Sequence, residues 1–472
     1  MWIPDHLDPD GPRYLAVVKA LEDDIANGRA LDGMALAPQR ELAYQLGLSV
    51  GTVVRAYSVA QQRGLIAGEV GRGTFVRGRA GQAETRFFGD GSAHQDSRKA
   101  GTIDLSVNVA PPLRQAERVG NALRAVANAT ELPQMLRYGV HLGADSQRRA
   151  LAEWLDRTSA GRYAPSADRI AICIGAQQAI WAVCSSVLRP GQTILAESVT
   201  FAGIKSVAGL LGAHLCGVDM DEHGLIPEAL EEACAKTQAR ALYLMPTLQN
   251  PTGTTMPEAR RAEIAAIAQR YGLTVIEDDV YGFLAPDAPP PLASLLPDRT
   301  CYVSSFSKSV APGLRAGFAV LPSALTRGVE AAMRASCWMS PLLTMETVCR
   351  LMRHDGLDGI VAQRREEASQ RLEIAESVLS GLFPKVDWRK ARFHLWLATR
   401  DWVEAEQVVR RAMEAGVLIA PPDAVATERA SPPGIRLCLG SPPDTGDLRS
   451  ALMAVRTAFE AGDPATQICS TI

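Results

Sequence analysis

The chain lacks any apolar run of about eighteen residues, so no segment reads as a helical membrane anchor. It also lacks an apolar stretch behind its opening Met-Trp-Ile-Pro-Asp-His, and no secretory leader is expected. Its nine cysteines (Cys173, Cys184, Cys216, Cys234, Cys301, Cys337, Cys349, Cys438 and Cys469) are odd in number, scattered and never spaced as C-x-x-C. That pattern argues against a disulfide framework and for reduced thiols in the cytoplasm. The closing Cys469-Ser-Thr-Ile has the outline of a prenylation box, but its middle positions are polar and no basic cluster precedes it, so no lipid is expected. Net charge is scarce, -3 in all, which excludes wholesale coating of a polyanion and leaves room for a local basic patch. Internal repeats are absent. What remains is ordinary globular composition, 47% hydrophobic and 21% charged, in 472 residues, a length that calls for two or three domains.

The most informative stretch is Ser304 to Phe318, Ser-Ser-Phe-Ser-Lys-Ser-Val-Ala-Pro-Gly-Leu-Arg-Ala-Gly-Phe. A β-branched and aromatic run leads in and an apolar run leads out, which predicts a strand ending in a polar loop with Lys308 at its tip. Ser305, Ser307 and Arg315 supply the short, directional donors that a phosphate needs. A lysine beside a bound phosphate, desolvated and near another cation, has its amine available toward an aldehyde. The stretch resembles the cofactor-lysine loop of fold-type I aminotransferases, which bind pyridoxal 5′-phosphate (PLP).

From the N-terminus, apolar positions at 15, 17, 18, 21 and 25 predict a helix over 14–27. A second follows over 38–46, then Gly47-Leu48-Ser49 as a turn, then a third helix to about Arg63 capped by Ser49. Helix, glycine-containing turn and helix is the spacing that places a second helix in the DNA major groove. A hairpin over 66–76 turns through Gly71-Arg72-Gly73. Arg40-Glu41-Leu42-Ala43, Thr52-Val53, Ala56-Tyr57, Gly64-Leu65-Ile66 and Gly71-Arg-Gly-Thr-Phe-Val76 resemble a GntR-type winged helix-turn-helix over roughly 11–77. The resemblance implies Arg40, Thr52, Arg55 and Arg72 as contacts to double-stranded operator DNA. Two positions depart from it: Val50 stands where an arginine is usual, and Gln39 where a serine is usual, so base preference is expected to differ from a typical member. Residues 38–77 hold five arginines, no lysine and two glutamates, a net +3. So weak a patch implies binding as a dimer.

Residues 78–101 are rich in Gly, Ser and charge and read as a tether. Beyond them strands alternate with helices: strands at 170–174, 193–196, 214–218, 241–245, 274–276, 301–305 and 316–320, helices at 177–188, 203–211, 227–235 and 257–271. Alternation of this kind predicts crossover units and a mostly parallel sheet with ligands at the carboxyl ends of its strands. Gly175-Ala176-Gln177 opens a helix after a strand and offers N–H groups to an anion. Phe201 is placed to stack on a flat ring, Asn250 to expose an amide from a turn, and Asp278, Asp279 and Tyr281 to close a strand. Together with Lys308 this order resembles fold-type I aminotransferases over about 104–460. The resemblance implies a catalytic set of Lys308, Asp278 and Tyr281. Asp278 would pair with the pyridine nitrogen; Asp279 competes for that role, and the spacing to Tyr281 favours Asp278. Asn250 and Tyr281 would hold the ring's phenolic oxygen. Gly175, Ala176, Gln177, Ser305, Ser307 and Arg315 would cradle the phosphate, with a hydroxyl missing at Ala176. Tyr138 would reach a neighbouring subunit's phosphate, which implies a homodimer.

A smaller part, from about 344, carries helices at 360–379 and 403–415 and strands at 393–397, 417–419 and 435–438. Arg436 resembles the arginine that grips a substrate carboxylate, the alternative being an edge arginine in a surface ion pair. The fold class is therefore multidomain: a winged helix-turn-helix (11–77), a linker (78–101) and an α/β aminotransferase-like body, large part 102–343 and small part 344–465. The combination looks like the MocR-type regulators, in which a PLP-binding body senses a small amino compound through its condensation with the cofactor. The second reading is a working aminotransferase with an auxiliary N-terminal domain, because the Asn, Asp, Tyr, Lys and Arg set is complete. The expected setting is the cytoplasm, and no metal is called for.

Overall fold

The computed structural model describes residues 2–4, 7, 12–26, 29–30, 34–62, 65–69, 73–76, 101–112, 114, 116–353, 356–384, 386–388, 392–428 and 430–461. Contacts divide the chain into two units, 1–91 and 92–472.

In the first unit, helices α1 (Arg13–Ala26), α2 (Gln39–Gln45) and α3 (Val50–Gln62) precede an antiparallel hairpin of β1 (Ile66–Glu69) and β2 (Gly73–Val76). Leu21, Leu42, Val53, Ala56 and Leu65 are buried together, so the apolar stripes of all three helices meet in one small core. The Ser49 hydroxyl accepts from the Thr52 N–H at 3.1 Å and caps α3. The Tyr57 hydroxyl donates to the Ala37 carbonyl at 2.6 Å and ties α3 to the start of α2. The expected hairpin is present, while its tip at Gly71-Arg72 and residues 78–100 of the linker lie outside the described residues.

In the second unit a short strand, β3 (Ile103–Asp104), leads to a seven-stranded sheet. Its members are β4 (Ile170–Cys173), β5 (Thr193–Glu197), β6 (His214–Val218), β9 (Ala241–Leu244), β10 (Thr274–Asp278), β11 (Thr300–Ser305) and β12 (Gly317–Val320). A two-residue hairpin, β7 (Met220–Asp221) with β8 (Gly224–Leu225), stands apart from them. The order is β4-β12-β11-β10-β9-β5-β6, and only β12 runs against its neighbours. Strands such as Ile-Ala-Ile-Cys and Ala-Leu-Tyr-Leu are buried at every position, as a sheet covered on both faces requires. The helix Ala176–Val187 covers one face together with Cys301, Val303 and Ala319. Helices Asp145–Thr158 and Leu342–Arg353 cover the other, against Tyr302, Phe306 and Phe318.

The smaller part pairs β13 (His394–Ala398) with β15 (Gly434–Cys438), and β14 (Val417–Leu418) returns to β3. Helices Trp402–Glu414 and Thr445–Glu460 and the long Gly356–Leu379 complete it. Each strand and helix predicted for this unit is present to within a few residues. Helices Ala116–Ala127, Asp145–Thr158, Thr326–Cys337, Leu342–Arg353 and Thr445–Glu460 are additions that the sequence reading did not contain.

Candidate functional site

The ends of β10 and β11 set the chemistry. Asp278 closes β10 and is buried; its Oδ2 accepts from the Tyr243 hydroxyl at 2.8 Å. Burial pushes its carboxyl up to about 7, with the bonds from Tyr243 and the Val280 N–H opposing that rise. No cation is hydrogen-bonded to it among the described residues. Asp279, one position on, points to the other side of the strand end, where the Tyr302 hydroxyl donates to its Oδ2 at 2.6 Å. Pleating alone separates these neighbours, since successive side chains leave opposite faces.

Lys308 follows β11 in a tight turn, and its Nζ donates to the Asn108 carbonyl. Burial brings its ammonium down to about 8; Cys438 and Asp278 oppose that fall, and Arg436 and Arg315 add to it. Asn108, absent from the sequence reading, joins the parts of the site. Its Nδ2 donates to the Tyr281 hydroxyl at 2.7 Å and lies 3.0 Å from His394 Nδ1. A donor facing Nδ1 makes that nitrogen the acceptor, so Nε2 carries the proton and donates to the Gln249 carbonyl at 2.9 Å. Burial takes His394 down to about 4, so this imidazole is neutral at ordinary pH. Gln249 is itself held by Glu197 at 3.1 Å and by the Val199 carbonyl at 2.7 Å.

Asn250 departs from expectation. Its turn does not expose the amide; the residue is buried, and its Oδ1 accepts from Arg436 Nη1 at 3.1 Å. Arg436 also sends Nη2 to the Ser106 carbonyl at 2.7 Å. It is a buried residue of the two-stranded sheet and takes part in no surface ion pair, because β13 and the 103–108 segment cover it. Asn108 Oδ1 and Arg436 Nε are buried without hydrogen-bond partners, one spare acceptor and one spare donor in the same network.

An anion cradle lies beside Lys308. Gly175 begins the helix Ala176–Val187 with φ near 105°, a conformation that suits glycine, and a Cβ there would come within 2.7 Å of Arg315 Nη2. Arg315 bonds the Ile174 carbonyl at 2.9 Å and reaches Ser307 Oγ at 3.5 Å. Ser305 Oγ lies 3.4 Å from the Ser307 N–H. Gln177 donates to the Gly203 carbonyl at 3.1 Å, and Phe201 precedes the helix Ala202–Leu210 without a side-chain cap bond. Gly175, Ala176, Gln177, Ser305, Ser307, Lys308 and Arg315 thus form one cluster. A phosphorylated pyridine fits this set: N–H groups and a guanidinium for the phosphate, a buried carboxylate awaiting a cation, and a buried amine for an aldehyde. Tyr138 stands apart, 86% exposed, with its ring edge-on to Trp338 at 6.0 Å.

In the first unit Arg40 is exposed on α2, and Tyr44 stands one turn further on, also exposed. The Arg55 guanidinium lies 4.2 Å above the Tyr14 ring. Thr52 shares a 2.8 Å bond with the Ser49 hydroxyl. The outward face at the start of α3 is apolar: Val50 and Val54 are each 44% exposed, with Gly51 between them. Arg72 falls outside the described residues. Among the described residues there is no helix long and apolar enough to cross a membrane and no cluster of His, Cys, Asp or Glu suited to a metal.

Comparison with known proteins agrees with both units. The family described as aminotransferase class I and II matches residues 100–454, and that described as bacterial regulatory proteins, gntR family, matches 13–76. The chain is 28% identical over 461 residues to the HTH-type transcriptional regulator YdeF of Bacillus subtilis, covering 97% of each. It is 30% identical over 329 residues to the HTH-type transcriptional regulator YjiR of Escherichia coli, 65% of this chain and 68% of that one. A mitochondrial kynurenine/alpha-aminoadipate aminotransferase of Mus musculus is 28% identical over 296 residues, 57% of this chain and 69% of the other. The body also has the fold of a Pyrococcus horikoshii kynurenine aminotransferase, with a TM-score of 0.72 at 23% identity over 78% of this chain and 93% of that one.

Proposed function

We propose, for a chain that belongs to the MocR-type regulators, a GntR-type reader joined to a class I and II aminotransferase body, that it binds operator DNA and responds to an amino acid held in that body. The observation that carries this is the amine of the half-buried Lys308, bonded to the Asn108 carbonyl and acted on by Asp278 and Arg436, in the same chain as a capped helix α3. The cofactor is PLP, which when bound supplies an aldehyde for amines and a ring that accepts electrons. Lys308 offers the amine that holds it and carries a proton at Nζ. Asp278 keeps a proton on the ring nitrogen, with Tyr243 fixing the orientation of the carboxylate. Tyr281 and Asn250 orient the ring oxygen, and the Gly175–Gln177 turn with Ser305, Ser307 and Arg315 takes the phosphate. Arg436 exchanges its bonds to Asn250 and Ser106 for those of a carboxylate.

The reader, at 11–77, would pass through the 78–101 tether to a body whose large and small parts meet near 344. In this reading the chain acts as a cytoplasmic homodimer, with Tyr138 reaching across to the partner's cofactor site. A movement of the small sheet with Arg436 biases the readers, a population shift in which the effector favours one arrangement. One observation favours a second reading: the carboxylate and guanidinium of an aminotransferase, Asp278 and Arg436, are buried and both act on the half-buried amine of Lys308, so a half-reaction on an amino acid is within reach of these groups.

The deciding experiment is binding of the full-length chain to labelled DNA from upstream of its own gene, with scrambled DNA as control, with and without PLP and a panel of amino acids. Specific binding shifted by one amino acid is the expected result. Binding no better than to the scrambled DNA, accompanied by steady turnover with a keto acid, sinks the regulatory reading.

A further inference from the structure

A cavity of about 390 Å³ opens on the face of β10 and β11 away from the Ala176–Val187 helix, and neither Lys308 nor Asp278 lines it. Three polar atoms of its wall are buried with no hydrogen-bond partner: the Tyr163 hydroxyl, the Trp154 indole nitrogen and Asp279 Oδ1. Tyr163 is only 8% exposed, so its hydroxyl has given up water without a replacement inside the protein. Such a group costs about 1–3 kcal/mol unless something in the cavity satisfies it. The charge is ordered along the depth of the cavity. Asp279 and Arg261 line its inner wall, with the buried Glu277 behind them 3.9 Å from Arg261 Nη1. Four of the five Arg261 N–H groups are taken by the Met256, Pro290 and Pro246 carbonyls and the Thr247 hydroxyl, so the two carboxylates outnumber the one guanidinium there. Arg157, Arg162 and Arg365 lie toward solvent. Asp358 lies 3.5 Å from Arg157 and Asp287 acts on Arg365, which leaves a small net positive charge at the mouth. Arg162 holds the Ser159, Ala288 and Pro286 carbonyls and Arg365 the Phe283 carbonyl, each with N–H groups to spare. Between the two ends the walls are apolar, with Phe283, Phe306 and the prolines of 286–291.

We propose that this cavity is a second small-molecule site and that its ligand is a zwitterionic amino acid, ammonium toward Asp279 and carboxylate toward Arg162 and Arg365. A negative floor, a positive rim and a carbon-lined wall are complementary to that class, and the volume is in the range of small-ligand sites. The site adjoins the cofactor lysine from behind. Ser304, Ser305, Phe306 and Ser309 form part of its wall, and Ser304 Oγ donates to the Asp279 carbonyl at 2.9 Å. A ligand there bears on the turn that presents Lys308 without touching the amine, which makes it a modulator of the first site.

The test is equilibrium dialysis of the full-length chain against a panel of radiolabelled standard L-amino acids. It uses a Lys308→Ala, Arg436→Ala background that removes the amine and the carboxylate grip of the first site. At least one amino acid binds saturably, and adding Arg365→Gln or Asp279→Asn weakens it about tenfold, the loss of one charge-assisted hydrogen bond. Because the background carries no reactive lysine, the result does not depend on the cofactor reading. A parallel measurement in the otherwise unaltered chain gives two amino-acid sites, against one in the Arg365→Gln variant, whose side chain lies at the mouth and not in the core. Absence of saturable binding in the background, or binding indifferent to both substitutions, overturns the proposal, as does a single site in the unaltered chain.

Discussion

At the scale of single residues, Lys308 carries the most weight and gives two expectations. Lys308→Ala is expected to abolish the cofactor's yellow absorbance and its trapping by borohydride, with the helical signal of the N-terminal unit unchanged; a variant that still traps PLP removes this lysine from the site. The second concerns pH. Burial lowers the Lys308 ammonium from its ordinary 10.5 to about 8, so in that interval the unfolded chain holds a proton that the folded chain has released. The fold gains stability as pH rises through this window, and the free amine is half-formed near pH 8. Uptake of PLP by the cofactor-free chain is therefore expected to accelerate from about pH 7, reach half of its limit near 8 and level off above about 9, read by stopped-flow absorbance. A third expectation falls on Arg436: its change to Ala lowers affinity for amino acids by about ten- to a hundredfold, while simple amines lose little, because only the former present a carboxylate. Lys308, Asp278, Tyr281 and Arg436 were legible in the sequence because each sits in a short stretch with its own chemistry. Asn108, Tyr243 and Gln249 were not. Asn108 reaches Tyr281 and His394 across 173 and 286 residues of chain, and nothing around it has a pattern of its own.

At the scale of elements, the strands and crossover helices could be read because alternation and strand-end residues mark them. The unforeseen helices had weaker marks. Leu342–Arg353 buries Leu342, Met345, Glu346, Thr347, Val348, Cys349, Leu351 and Met352, so it is enclosed on most of its circumference, unlike a surface helix with one apolar stripe. For Thr445–Glu460 the mark is at its start, where the Asp444 side chain accepts from the Gly446 and Asp447 N–H groups. Helix α3 yields a prediction of its own. Its outward face at Val50, Gly51 and Val54 holds no hydrogen-bonding side chain, so on the proposed function this part of the helix is expected to meet bases by apolar contact, and the apolar feature of the major groove is the thymine methyl. Replacing thymine by uracil in a selected binding site is expected to weaken binding several-fold, and a Val50→Ala, Val54→Ala chain is expected to lose most of that sensitivity. Equal affinity of the original chain for both DNAs removes the valines from recognition.

At the scale of the whole molecule, the exposed rings invite assembly. Leu136, Tyr138, Val140 and Trp338 are large, exposed and neighbouring, with Trp338 edge-on to both Tyr138 and His141. Contiguous apolar surface of this kind is characteristic of an interface. In the proposed homodimer, Trp338→Asp is expected to shift sedimentation toward the monomer and to lower cofactor retention together with DNA binding. A monomer that retains both dissociates Tyr138 from the neighbouring site.

The bonds already made by Arg436 have a further consequence. With Nη1 on Asn250 and Nη2 on the Ser106 carbonyl, both terminal nitrogens of the guanidinium are engaged before any ligand arrives, and Nε is the donor left without a partner. A carboxylate therefore wins it by exchange, and what it gains is the difference between two sets of bonds. A bare amine has nothing to offer in that exchange and leaves the arginine where it was. On the proposed function the resting contacts would act as a threshold: they would set how good an acceptor must be before the body responds, and amines that share only half of the right chemistry would fall below it.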